Sequence, residues 1–352
     1  MKQTAIAAGI LSGLLFGVAT PFSKLLLIDF NYFQLAGLLY LGAGFAMIPS
    51  VIKRKVQVKM LFTARNLQRT LGIIFFGGIL GPLLLLIGLR AANAASVSIW
   101  LNMELVATAI LGVLIFKDNL DKLAWVGVVL TVFAGLITSF GEGTGGLLPA
   151  LIITAACVCW GLDNHLTALT DGASPQVVTF IKGIIAGSVN LLIGMLISEN
   201  AIQFSSVIFA VIVGAFSYGI SIVLYITSAQ NIGATRSQIL FSTAPLWGVV
   251  LSYIFFDYPI QWTHVVSILL LAFSIVAINL ISHKHMHTHT STEHIHYHKH
   301  NDGHHHHLHP EGDLPTNAGH SHHHIHETTT HDHPHYPDLH HRHNHKKPYI
   351  KK

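Results

Sequence analysis

Charge is scarce in this chain: Asp, Glu, Lys and Arg make up 10% of its 352 residues, where soluble domains carry about 25%. A chain so poor in charge cannot present an ordinary water-facing surface, which argues against a conventional soluble protein. Cysteine is nearly absent. Cys157 and Cys159 are the only two, and their i, i+2 spacing points them to different helix faces. That excludes a disulfide framework and favours plain packing over a metal site. The formal net charge of +4 is too small to argue for nucleic acid. No Gly-x-x-x-x-Gly-Lys-Ser/Thr run occurs, so nothing points to ATP. No nucleophile and base stand at usable spacing in the apolar region, so an enzyme is not expected.

What is present divides sharply. Hydrophobic residues reach 51% and the mean hydropathy is +0.54, yet 25 of the 27 histidines fall after Ser282, leaving only His165 and His264 before it. Two materials have been joined near that residue.

A membrane-crossing helix needs about 20 mostly apolar residues. Ten stretches meet this, near 4–27, 31–52, 70–90, 93–116, 122–140, 147–169, 175–197, 206–228, 235–256 and 260–282. Turn chemistry separates several of them, as in Gly141-Glu142-Gly143-Thr144-Gly145-Gly146 and Asp257-Tyr258-Pro259. The first stretch imitates a signal peptide but is read as a retained span. With the N-terminus inside, the cytoplasmic loops collect Lys2, Lys53, Arg54, Lys55, Lys59, Arg65, Arg69, Lys117, Lys122 and Arg236, and the outer loops only Arg90. The positive-inside rule then places both termini in the cytoplasm of a multi-pass protein of the inner or plasma membrane.

Motifs recur half a chain apart. Gly13-Leu14-Leu15-Phe16-Gly17 in the first span is echoed by Cys159-Trp160-Gly161 in the sixth. Ile115-Phe116-Lys117-Asp118 after the fourth is echoed by Ile254-Phe255-Phe256-Asp257 after the ninth, each followed by a Trp, Trp125 or Trp262. Five spans per copy is an odd number, so the second copy must enter the membrane from the opposite side. The expected fold class is therefore all-α integral membrane, ten transmembrane helices as two inverted five-helix repeats over 1–140 and 147–282, with a substrate site between them.

On these motifs the chain resembles the drug/metabolite transporter superfamily, and its EamA-type members in particular, over essentially all of residues 1–282. The family's Glu-Pro helix is similar to Asn102-Met103-Glu104-Leu105, which keeps the acid, and to Thr243-Ala244-Pro245-Leu246, which keeps the proline. Asp118 and Asp257 stand where the family usually has Glu. The resemblance implies a carrier, with export expected, of small metabolites such as amino acids or drugs by alternating access. It requires no cofactor, has a small-molecule substrate and the lipid bilayer as partners, and leaves a homodimer open.

Ionisable groups inside hydrocarbon are functional candidates by default. Glu104 lies close to the middle of the fourth span and is read as a site for a coupling proton or a cationic substrate group. Its alternative is a buried structural acid. Asp163 and Lys182 each lie about 10 Å from the same surface at 1.5 Å per residue, so an ion pair is expected, structural or functional. Asn164 and Trp160 flank Asp163 on the sixth span and join the candidate set. Lys24, near the outer end of the first span, either snorkels or, by the resemblance, lines the cavity. His165 and His264 are read as packing residues. Gly37, Gly42, Gly44, Gly183, Gly187 and Gly194 permit close helix contact.

Residues 283–352 are too polar to pack a core, so disorder is expected. Imidazole suits zinc, nickel, copper and cobalt, and His283, His285, His287, His289, His304, His305, His306, His307, His322, His323 and His324 are the candidate ligands. Divalent metal is thus a further expected partner, on the tail. The competing reading makes the protein a metal efflux carrier fed by this tail. Against it stands the lack of an Asp, His and Cys cluster among the spans.

Overall fold

The computed structural model describes residues 2–52, 54–115, 122–170, 173–198, 203–232, 240–241, 243–279, and four short segments of the tail. Among the described residues from 2 to 279 every regular element is helical. Seven of these described helices are long and apolar enough to cross a membrane: α1 Gln3–Leu26, α2 Tyr32–Val51, α3 Asn66–Ala91, α4 Ala94–Leu114, α6 Leu147–Thr167, α7 Pro175–Leu196 and α8 Phe204–Tyr225. Three apolar helices are shorter: α5 Trp125–Gly141, α9 Ala244–Phe255 and α10 Trp262–Ala277. The ten expected stretches thus each carry an apolar helix among the described residues; in the ninth, residues 233–239 and 242 lie outside them. Large apolar side chains face outward round the bundle, Phe204 and Phe273 at 78% and 67% exposure. A water-soluble protein seldom shows so much exposed apolar area, whereas lipid makes it favourable.

The main helix pairings recur when each helix is exchanged for the one five places away. α2 packs on α7, α4 on α9 and α5 on α10, while α1 on α8 mirrors α6 on α3, and α1 on α9 mirrors α6 on α4. Small residues set the tightest contact, α2 on α7. A Cβ added at Gly183 would meet the Gly44 N and Tyr40 O at 2.7 Å, and one at Gly187 the Leu41 N at 2.7 Å, so only glycine lets these backbones touch. α5 and α10 are joined by hydroxyls. Thr131 Oγ1 lies 2.6 Å from Ser274 Oγ, and Thr138 donates to Ser267 Oγ at 2.9 Å.

Four helices are irregular where hydropathy gives no warning. α1 is interrupted at Val18 and α4 at Leu101 and Asn102. α3 widens into a π-helix over Ile73–Leu80 and its counterpart α8 over Ala215–Ile220. Short π segments of this kind tend to mark functional sites.

Four short segments of the tail are extended. Lys284–His289 pairs antiparallel with Thr329–Pro334, and Thr292–His298 with His320–His326. The alternation of His with Thr, Ile and Tyr suits extended backbone. His285, His287, His289, His322, His323 and His324 fall on these strands. His283 and His304–His307 lie outside the described residues.

Candidate functional site

A cavity lies where the two halves meet. It is lined by Phe16 and Thr20 of α1, Leu85 of α3, Trp160 of α6, Tyr218 of α8 and Pro245 of α9, with room of about 10 Å³, enough for one water. Its helices are counterparts in pairs: α1 and α6, α3 and α8. The walls are aromatic and aliphatic, and Phe16 and Tyr218 meet edge-on at 5.7 Å. Such walls suit an apolar or aromatic body, while specificity must come from the few polar groups at the margin.

Those groups gather round the π segment of α3. Gly81 N–H donates to Phe76 O in the π register, and the next residue, Pro82, has no N–H to give. The Gly77 carbonyl accordingly accepts from side chains, Tyr40 OH at 2.5 Å and Trp160 Nε1 at 3.2 Å. Gly78 O accepts from Asn190 Nδ2 at 3.1 Å. Pro82, five and four residues after these two glycines, thereby ties α2, α6 and α7 to the third helix. Tyr40 also faces Tyr218 across 5.6 Å, which links this polar girdle to the cavity wall.

Directly against Gly77 lies the Asp163 carboxyl. Lys182 Nζ donates to Asp163 Oδ2 at 2.6 Å, with the two side chains 16% and 7% exposed. The expected pair between α6 and α7 is therefore formed. One residue on, Asn164 Nδ2 donates to Glu104 Oε1 at 2.9 Å and reaches Thr108 Oγ1 at 3.5 Å. Glu104 stands in the first turn after the break in α4, where unpaired N–H groups favour a negative charge. Five of the six candidates, Glu104, Asp163, Lys182, Asn164 and Trp160, thus form one girdle.

Lys24 does not join them. Its ammonium donates to Leu89 O at 2.7 Å, Arg90 O at 3.2 Å and Ala92 O at 2.8 Å, and so holds the carbonyl end of α3. Cys157 is buried and free, its thiol 3.8 Å from Trp100 O, and Cys159 is free as well. His165 Nε2 is 2.9 Å from Thr108 O.

Two further features escaped the sequence reading. On the face carrying Arg54, that side chain donates to Ser174 Oγ at 2.7 Å and Gln176 Oε1 at 3.2 Å, and Arg69 donates to Leu169 O. These contacts tie the α2–α3 connection to the α6–α7 turn. On the opposite face, His264 is not a lone histidine. It sits between Ser96 and Tyr253, at 2.7 and 2.6 Å, and Glu142 accepts from both Asn93 and Ser96. Glu142 sits in a glycine-rich loop that hydropathy treats as a mere separator. Among the described residues no group of three or more His, Cys, Asp or Glu could hold a metal ion.

Comparison with known proteins agrees with this architecture. The family described as the EamA-like transporter family matches the chain twice, over residues 3–140 and 147–280. A protein of Methanothermobacter thermautotrophicus described as an uncharacterized transporter is 24% identical over 268 residues, which are 69% of this chain and 77% of the relative. The uncharacterized transporter YyaM of Bacillus subtilis is 26% identical over 200 residues, 52% of this chain and 63% of YyaM, so just under two thirds of that relative is spanned. One solved crystal structure aligns with a TM-score of 0.57 at 14% identity, covering 80% of this chain and 98% of the other. At that identity the likeness concerns the fold alone.

Proposed function

The chain belongs to the EamA-like transporter family, and from that membership we propose a secondary carrier that exports small organic metabolites, such as amino acids or drugs, across the inner or plasma membrane by alternating access. In this reading all ten apolar helices cross the bilayer. The second five enter inverted with respect to the first, and both termini face the cytoplasm, in keeping with the lysine and arginine bias of the loops. The observation that carries the reading is the cavity between the halves, bounded by counterpart helices and bordered by the Glu104–Asn164 and Asp163–Lys182 contacts. Its small volume fits an occluded state, closed on one face by the Arg54 and Arg69 contacts and on the other by the Lys24 and Glu142 contacts.

In this mechanism Glu104 binds either a coupling proton or the cationic group of the substrate, while Trp160 and Tyr218 pack its apolar body. Asp163 and Lys182 hold α6 to α7 beside it. The tail binds zinc, nickel, copper or cobalt through neutral imidazole, separately from transport. A metal carrier is the second reading, favoured by the 25 tail histidines and opposed by the described helices, which bring no metal-ligating cluster together.

Reconstitution into vesicles tests both, using a panel of amino acids, organic cations and divalent metals with the full chain and with one truncated after Ser282. Uptake of an organic solute that survives truncation is the expected result. Metal uptake that disappears on truncation would reverse the ranking.

A further inference from the structure

The Glu142 loop presents chemistry that the carrier reading leaves unused. Gly143 takes a positive φ of 71°, a backbone form that glycine adopts without penalty, and this turns the chain back so that Glu142 reaches the start of α4. There its Oε1 accepts from Asn93 Nδ2 and Ser96 Oγ. Ser96 Oγ also lies 2.7 Å from His264 Nε2, His264 Nδ1 lies 2.6 Å from Tyr253 OH, and Gln261 N–H donates to that phenol oxygen at 3.4 Å. His264 is 2% exposed, and its Nε2 is 3.9 Å from Glu142.

The hydrogens of this chain can be assigned. Ser96 gives its proton to Glu142, so its oxygen accepts, so His264 carries its hydrogen on Nε2 and takes the Tyr253 hydroxyl on Nδ1. Every bond then points the same way, from Gln261 through Tyr253, His264 and Ser96 to one carboxylate. Ser96 and Asn93 belong to the first half, Tyr253 and His264 to the second, and Glu142 to the loop that connects them. This polarised chain therefore joins the halves at the mouth on the Lys24 side.

We propose that Glu142, Ser96, His264 and Tyr253 form a proton-binding latch: with Glu142 ionised the mouth on this face is held closed, and a proton entering at Glu142 releases it. The inference rests on the carrier reading for its purpose, though not for its test. A proton on Oε1 turns an acceptor of two hydrogen bonds into a donor aimed at Ser96. Ser96 must then turn its own hydrogen elsewhere, and the bonds from Asn93 and Ser96 lose their anionic acceptor. Charge-assisted bonds are about twice as strong as neutral ones, so with them gone the halves part at lower cost. The sign follows: the closed mouth requires the deprotonated carboxylate, hence acid opens it. The charged and titratable groups near the latch on neighbouring elements are Lys24 of α1, Arg90 at the end of α3, Tyr258 in the loop before α10, and Tyr253 itself.

The test reads the mouth directly. Thr20 is 3% exposed on the cavity wall one turn inside Lys24, whereas Ile28 beyond it is 83% exposed. Thr20→Cys and Ile28→Cys are made separately in the full-length protein in vesicles and reacted with a membrane-impermeant thiol reagent from the Lys24 side, with native Cys157 and Cys159 as background. The ratio of the two rates cancels the pH dependence of the thiolate itself. That ratio should rise about tenfold between about pH 7 and about pH 4, the range over which carboxyl groups take up protons. Glu142→Gln should make it pH-independent, and Tyr253→Phe, which keeps the packing, should shift it. A flat ratio in the parent, or an unchanged pH profile in both variants, overturns the latch. No transported solute enters this measurement, so a protein that switched but carried nothing would sink the carrier reading alone.

Discussion

Breaking the Asp163–Lys182 pair one side at a time gives the sharpest prediction. At 2.6 Å and an effective dielectric constant of about 20, the Coulomb attraction is about 6 kcal/mol before either end's desolvation is set against it. Lys182→Met removes the cation and leaves Asp163, 5% exposed, as an uncompensated charge against the Gly77 backbone. The expected loss is about 3–5 kcal/mol. Asp163→Asn strands the ammonium among apolar neighbours at similar cost. The double variant removes both charges and should be no less stable than either single variant, which requires a coupling energy of at least about 3–5 kcal/mol. Reversible denaturation in mixed detergent micelles, followed by tryptophan fluorescence, measures all four proteins. If the two single losses simply add, the residues are energetically independent and the girdle reasoning fails. Substrate flux in the double variant then separates roles, since a pair that only fixes packing returns activity along with stability.

Three other outcomes follow from the same geometry. Gly77→Ala places a methyl group on the Asp163 carboxyl and should cost about 1–3 kcal/mol, whereas Gly145→Ala, with open space at that position, should cost little, both read from the same denaturation curves. Glu104→Gln keeps the bond from Asn164 but loses the charge, so expression should hold while transport in vesicles is abolished or uncoupled from protons. Unaltered transport would make Glu104 a packing acid. Calorimetric titration with zinc or nickel should find several bound ions on the full chain, fewer as pH falls through about 6.5, where imidazole takes up protons. It should find none of them after truncation at Ser282.

Composition and order alone determined that this protein lives in lipid and is built twice over. Apolar runs of about 20 residues admit few other solvents, and the echo of Trp160-Gly161 and Phe255-Phe256-Asp257 half a chain from their partners is visible without coordinates. The Asp163–Lys182 pair was legible too, because rise per residue places both at one depth on consecutive helices. Lys24 and the Glu142 latch were decided only by tertiary structure. Depth along a helix says nothing of which face a side chain occupies, and the acceptors of Lys24 are backbone carbonyls at the end of another helix. The π segment lies between these cases: Gly77, Gly78 and Pro82 can be read in the sequence, yet the carbonyl they free acquires meaning only when Tyr40 and Trp160, from two other helices, arrive to take it.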